Sequence, residues 1–200
     1  MGISFEVVVP QVEELTEGEP ESAVVENARR KARAGMEMAA GRGDLVLGVD
    51  TEVVLEGRLL GKAANAIQAR ERLVTLSGRT HEVLSGVAVL AGKGSTVDFV
   101  SPELTKSTVG QGAPSSVPRP GALERSGVAR SRVSFRELAP ELIEAYLASG
   151  EWRDRAGAYA VQGLGSSLVE RVDGDLSNVI GLPVSLLLEL IPDLLDAAGE

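Results

Sequence analysis

The chain has 200 residues, 44% of them hydrophobic, enough to bury a substantial core in one domain or one two-lobed domain. It has no cysteine and one histidine, which excludes disulfides, thiolate nucleophiles, Cys-based zinc sites and His-rich metal centres; any metal must be held mainly by oxygen ligands, for which Mg²⁺ or Mn²⁺ is the natural choice. A formal net charge of −9 argues against a nucleic-acid partner, no apolar run approaches the roughly 18–20 residues that cross a bilayer, and the first residues lack the pattern of a signal peptide, so a cytoplasmic chain with no membrane partner is expected.

Residues 4–9, SFEVVV, have strand character and stop at Pro10, which cannot donate to a ladder. Glu13-Glu14 follows, either as a source of a metal ligand or as part of the acidic run through Glu21. Residues 21–40 carry Val24, Ala28, Ala32 and Met36 at helical spacing and predict a helix ending near Gly41. The run Leu45-Val46-Leu47-Gly48-Val49 reads as a buried strand that presents Asp50 at its end, on the rim of a sheet. There a carboxylate serves either as a catalytic acid–base group or as a cap on the strand edge. Val53-Val54-Leu55 and a turn at Glu56-Gly57 complete a hairpin over 45–61, which carries Lys62 back toward Asp50; the alternative for Lys62 is a solvated surface position.

A helix is predicted over 64–76, closed by Ser77-Gly78, with strands at about 81–90 and 132–136. Between those strands, residues 92–130 contain GQGAPSSVPRPG, have no apolar periodicity and read as a flexible insertion. Arg119, Arg125 and Arg130 within it read as solvated positions rather than as a basic arm. Residues 140–149 predict a helix with Leu142, Ile143, Tyr146 and Leu147 on one side, 168–172 a strand, and 184–195 an apolar helix entered through Pro183. Strands and helices alternate throughout, so the class is α/β.

The segment Asp154-Arg155-Ala156-Gly157-Ala158-Tyr159-Ala160-Val161-Gln162-Gly163-Leu164-Gly165 combines a charged pair, three glycines, a tyrosine and a buried-looking glutamine. Glycines let backbone N–H groups approach a ligand closely, or merely serve tight turns. The segment lacks the Gly-Lys-Ser/Thr of a Walker loop. Ser77 to His81 has no strand–turn–helix elbow and is not read as a nucleophile site; His81 is expected to be packed or hydrogen-bonded. Asn178 and Gly181-Leu182-Pro183 are expected to build a turn into the last helix.

In order, ENARRKA, GVDTEVVLEGRLLGK, LSGRTHEVLSGVAV, RVSFREL, IEAYLASGEWRDRAGAYAVQGLG and LVERVDGDLSNVIGLP resemble the Maf family of nucleoside triphosphate pyrophosphatases, from about Phe5 to Leu190 without the 92–130 insertion. The resemblance implies an α/β fold like that of inosine triphosphate pyrophosphatase, a mixed sheet flanked by helices with two lobes around a central cleft. It implies cleavage between the α- and β-phosphates of dTTP, UTP or a modified pyrimidine triphosphate, with a divalent cation. Asp50 matches the family's proposed proton acceptor, and Glu14 an acidic residue whose expected role, with Asp50, is metal binding. Lys31 and Lys62 match lysines of the family's cleft. Thr51 and Gln162 match positions that separate the dTTP- and UTP-preferring branch from a branch acting on 7-methyl-GTP.

The chain departs from the family pattern in three ways. It starts after the family's Ser-x-Ser-Pro-Arg-Arg segment, it has Arg155 where the family usually has lysine, and it carries the 92–130 insertion. One domain over 1–200 is expected, and the family suggests a homodimer. The alternative reading is a catalytically inactive nucleotide-binding or regulatory protein linked to cell division.

Overall fold

The computed structural model describes residues 5–39, 45–92 and 123–195. Helix α1, Pro20–Met38, begins where the Glu19 carboxylate accepts the main-chain N–H groups of Glu21 (3.2 Å) and Ser22 (2.7 Å). Pro20 suits the first helical turn because its missing donor is not needed there. The buried stripe of α1 is Ala23, Val24, Asn27, Ala28, Ala32 and Gly35. These are mostly small residues, and they let the helix lie directly on the sheet.

The strands are β1 (Leu45–Leu55), β2 (Arg58–Leu59), β3 (Thr80–Ala91), β4 (Leu123–Phe135) and β5 (Val169–Asp173), in the order β2-β1-β3-β4-β5. All four described pairings are antiparallel. β1 and β3 pair from Leu45↔Ala91 to Val54↔Glu82, so alternate side chains are delivered to two different layers. One face carries Gly48, Asp50 and Gly86 against α1, and the approach is so close that a β-carbon on Gly48 would lie 2.1 Å from the Ala28 carbonyl oxygen. The other face buries Val53, Val83, Val133 and Phe135 against α2 (Ala66–Leu76) and α3 (Pro140–Ser149). Two short helices, α4 (Leu176–Ile180) and α5 (Val184–Leu190), close the chain over β3 and β4.

Asp50 lies in the middle of β1, not at the end of a strand, because Asp50, Thr51 and Glu52 continue the ladder with Gly86, Ser85 and Leu84. It is nevertheless at an edge: β2 pairs only with Val54 and Leu55, and no described strand flanks residues 45–53 on that side. The strand expected at 4–9 is not formed over the described residues 5–9, where Phe5, Val7 and Val9 are exposed and no ladder partner is present among the described residues. Most of the expected insertion, 93–122, lies outside the described residues; its last part, 123–130, belongs to β4 and pairs with β3. Arg125 there donates to the Leu190 carbonyl (2.9 Å) and Arg130 pairs with Glu21 and Glu82, while Arg119 lies outside the described residues. The last helix stops at Leu190 because Pro192 disfavours helical backbone at Ile191, and a separate 3-10 turn follows at Pro192–Leu194.

His81 is packed, as expected. Its ring stands edge-on to Phe135 and Tyr159, and Nε2 shares a 2.7 Å hydrogen bond with the Tyr159 hydroxyl. Burial pushes its pKa down to about 4 from an ordinary 6.5. Because the folded value lies below the unfolded one, this histidine contributes stability that is present above pH 6.5 and lost as the pH falls through 4. Urea denaturation should show the wild type losing about 3 kcal/mol more between pH 7 and pH 4 than His81→Gln does. Equal losses would contradict the assignment.

Candidate active site

Asp50 is 4% exposed, and its two oxygens are held from the same helix. Oδ2 accepts from Asn27 Nδ2 at 2.9 Å and Oδ1 from Lys31 Nζ at 2.6 Å. Asn27 and Lys31 are four residues apart on α1, so they project from one helix face. Lys31 also reaches Glu14 Oε1 at 2.7 Å. Burial lowers the Lys31 pKa, but the hydrogen bonds it donates to Asp50 and Glu14 outweigh it, so Lys31 lies above the usual lysine range. Burial raises Glu14, and Lys31, with a smaller contribution from Lys62, brings it below the usual carboxylate value.

Asn27 explains how Glu14 reaches the site. Its Oδ1 accepts the Leu15 N–H at 2.7 Å and its Nδ2 donates to the Leu15 carbonyl at 3.0 Å, which clamps the irregular 5–16 segment to α1 one residue beyond Glu14. Asn27→Ala would strand the Leu15 main-chain groups and one Asp50 oxygen together. A loss of at least about 2 kcal/mol is expected, since each buried unpaired group costs about 1–3 kcal/mol. An unchanged denaturant midpoint would contradict this role.

Glu52 follows on the same face of β1 as Asp50 and is 8% exposed. It accepts from the Gly61 N–H, and its Oε2 has no partner. Burial first, and the neighbouring Asp50 charge second, push its pKa up to about 7. The Gly61 carbonyl is held in turn by the Gly157 N–H (2.8 Å) and by Arg72 Nη1 (2.6 Å), and Lys62 bridges Ala156. These contacts fix the backbone that carries the Lys62 side chain into the cleft.

The 154–165 segment, bridged to Lys62 through Ala156, also lines the cleft. Asp154 (φ 58°) and Ala158 (φ 60°) adopt left-handed backbone on either side of Arg155, a strain that persists only where surrounding packing enforces it. Gly157, at φ 65°, tolerates that conformation, and a β-carbon there would lie 2.8 Å from Val53 Cγ2. Gln162, expected to be buried, is exposed, because it stands at the cleft mouth as the cap of a 3-10 turn, Gly163–Ser167. The Glu151 carboxylate holds that turn by accepting the N–H groups of Leu164 and Gly165, both at 3.1 Å.

Lys31, Asp50, Thr51, Lys62, Arg155 and Gln162 therefore line one cleft at the edge of β1 that no described strand flanks. Glu14 joins them through Lys31. Asn27, Glu52 and Glu151 did not stand out in the sequence, although a polar Asn27 on an otherwise apolar helix stripe was a usable signal. A buried carboxylate with fixed orientation facing cationic side chains is suited to activating water beside a polyanionic substrate.

Among the described residues no group of three or more His, Asp or Glu side chains is placed to hold a metal. A divalent cation nevertheless fits the donor chemistry. Glu14 and Asp50 already converge on one cation, the Lys31 ammonium, and Mg²⁺ usually takes only one or two carboxylates with substrate phosphates and waters completing its shell.

A profile of the Maf-like protein family matches residues 1–194. A dTTP/UTP pyrophosphatase of Bacillus cereus is 39% identical over 188 residues, covering 93% of this chain and 77% of the relative. Proteins of the same name from a second Bacillus cereus strain and from Bacillus anthracis are each 39% identical over 188 residues, covering 93% of this chain and 82% of the relative.

Proposed function

The chain belongs to the Maf family, and from that membership we propose that it hydrolyses pyrimidine nucleoside triphosphates, dTTP and UTP among them, to the monophosphate and pyrophosphate. The observation that carries the reading is the buried Asp50 carboxylate, oriented on β1 by Asn27 and Lys31.

Each Asp50 oxygen retains a free lone pair after accepting from its partner, so the carboxylate can take a proton from water. The water oxygen attacks the α-phosphorus, and the bond from that phosphorus to the oxygen bridging the α- and β-phosphates breaks. The bridging oxygen and its electron pair leave with pyrophosphate. Lys62 and Arg155, which both line the cleft, neutralise the charge that develops there. Lysine contributes a compact point charge and arginine a planar fork, so the two grip phosphate oxygens differently. Lys31 stays an ammonium and holds Asp50 and Glu14 in place.

Glu14 and Asp50 are the residues that would hold Mg²⁺ or Mn²⁺, which when bound supplies additional charge neutralisation at the phosphates. Thr51 and Gln162 face the nucleobase, and the Gln162 amide offers both a donor and an acceptor to its edge. We place this activity in the cytoplasm, where nucleoside triphosphates are available; among the described residues no helix is long and apolar enough to cross a membrane.

With Mg²⁺ or Mn²⁺ present, a panel of nucleoside triphosphates should yield pyrophosphate from UTP and dTTP, with no orthophosphate as the first product. Calorimetric binding of nucleotide without any release would make the chain a nucleotide-binding protein instead.

A further inference from the structure

Asp50 and Thr51 leave β1 on opposite faces. Asp50 meets Lys31, whereas Thr51 turns toward the side of the cleft lined by Val53, Val83, Val179 and Ile180. A ligand lying across the β1 edge therefore meets charge on one side and an apolar wall on the other. The phosphates of a nucleotide suit the first and its base the second.

Thr51 Oγ1 lies 2.8 Å from Ser85 Oγ, and Ser85 is fully buried. The Ser85 oxygen is also 3.4 Å from the main-chain carbonyl of Asn178, a group that can only accept. Asn178 is buried and anchored, because its Nδ2 donates to the Val83 carbonyl and to Ser131 Oγ, both at 3.0 Å. A serine has one hydroxyl hydrogen. When that hydrogen goes to the Asn178 carbonyl, Ser85 accepts the hydrogen of Thr51, and the Thr51 oxygen presents lone pairs alone to the cleft.

We propose that Ser85 is a specificity-positioning residue: by taking the Thr51 hydrogen it makes Thr51 an acceptor toward the nucleobase, favouring the N3–H of uracil or thymine over the unprotonated N3 of cytosine. The proposal rests on the pyrimidine-nucleotide reading above. Cytosine sets an acceptor against an acceptor, and the relay leaves Thr51 no hydrogen with which to adapt.

The test is calorimetric binding of α,β-methylene-UTP and α,β-methylene-CTP with Mg²⁺ to the wild type, Ser85→Ala, Ser85→Thr and Thr51→Val. The methylene bridge is not hydrolysed, so the result does not depend on turnover. The wild type should hold the uracil analogue roughly ten- to a hundredfold more tightly, the scale of one mismatched buried hydrogen bond. Ser85→Ala and Thr51→Val, which remove opposite ends of the relay, should bring the ratio close to one, and Ser85→Thr should keep it. A purely structural role would weaken both analogues alike and leave the ratio intact. That outcome, or a wild type that binds neither analogue or does not discriminate between them, overturns the proposal. Discrimination without pyrophosphate release from UTP would instead count against the pyrophosphatase reading alone.

Discussion

Asp50→Asn is expected to lower kcat for pyrophosphate release by roughly 10²–10⁴-fold, the usual contribution of a positioned general base. The substitution is nearly isosteric. The carbonyl oxygen of the introduced amide can still accept from Asn27, so the clamp on Leu15 survives and the fold is expected to persist. What disappears is the carboxylate that takes the proton, and an amide N–H group would then face the Lys31 ammonium, which keeps Glu14 as its partner. Steady-state kinetics on UTP, with a circular dichroism melt to confirm folding, checks the prediction. A folded variant with an unchanged rate would remove Asp50 from the mechanism.

Gly48→Ala should produce a large loss of stability, at least about 3 kcal/mol, beyond the ordinary cost of overpacking. The added β-carbon would meet the Ala28 carbonyl oxygen at 2.1 Å, the Ala32 nitrogen at 2.6 Å and the Ala32 β-carbon at 2.9 Å. Two of these three are backbone atoms of α1, so no rotamer change relieves the clash. The helix has to move away from β1, and Asn27 and Lys31 move with it. Thermal unfolding should show a drop of many degrees, together with lost turnover even at temperatures where the variant stays folded. A variant with wild-type melting and wild-type kcat would show that the close packing of α1 on β1 does not position the base.

Most of the cleft could be read from residue order because its members belong to contiguous segments. Asp50 and Thr51 share a strand, Lys62 follows its hairpin, and Arg155 and Gln162 lie within one glycine-punctuated segment; the structure brings all of them to one cleft. What the chain order conceals is contact between distant segments. Asn27 lies in a run that reads simply as helix, yet its amide joins the 5–16 segment to the base. Ser85 sits inside an apolar strand run, and only the β1–β3 register places it opposite Thr51.

The misread elements have a common physical origin. Residues 123–130, LERSGVAR, have weak strand propensity, and it is the ladder with β3 that makes them a strand. Residues 5–9 have strong propensity and no described ladder partner, and they form no strand. In both places tertiary pairing outweighs local preference. The α1 helix, by contrast, was legible to within a few residues at each end, because the spacing of Val24, Ala28, Ala32 and Met36 is a local signal.

The central claim is that Asp50 directs water to the α-phosphorus. Turnover of UTP in H₂¹⁸O, with mass analysis of both products, tests it most directly. The label is expected in UMP, with pyrophosphate leaving unlabelled; label in pyrophosphate or orthophosphate, or no turnover at all, would contradict the account.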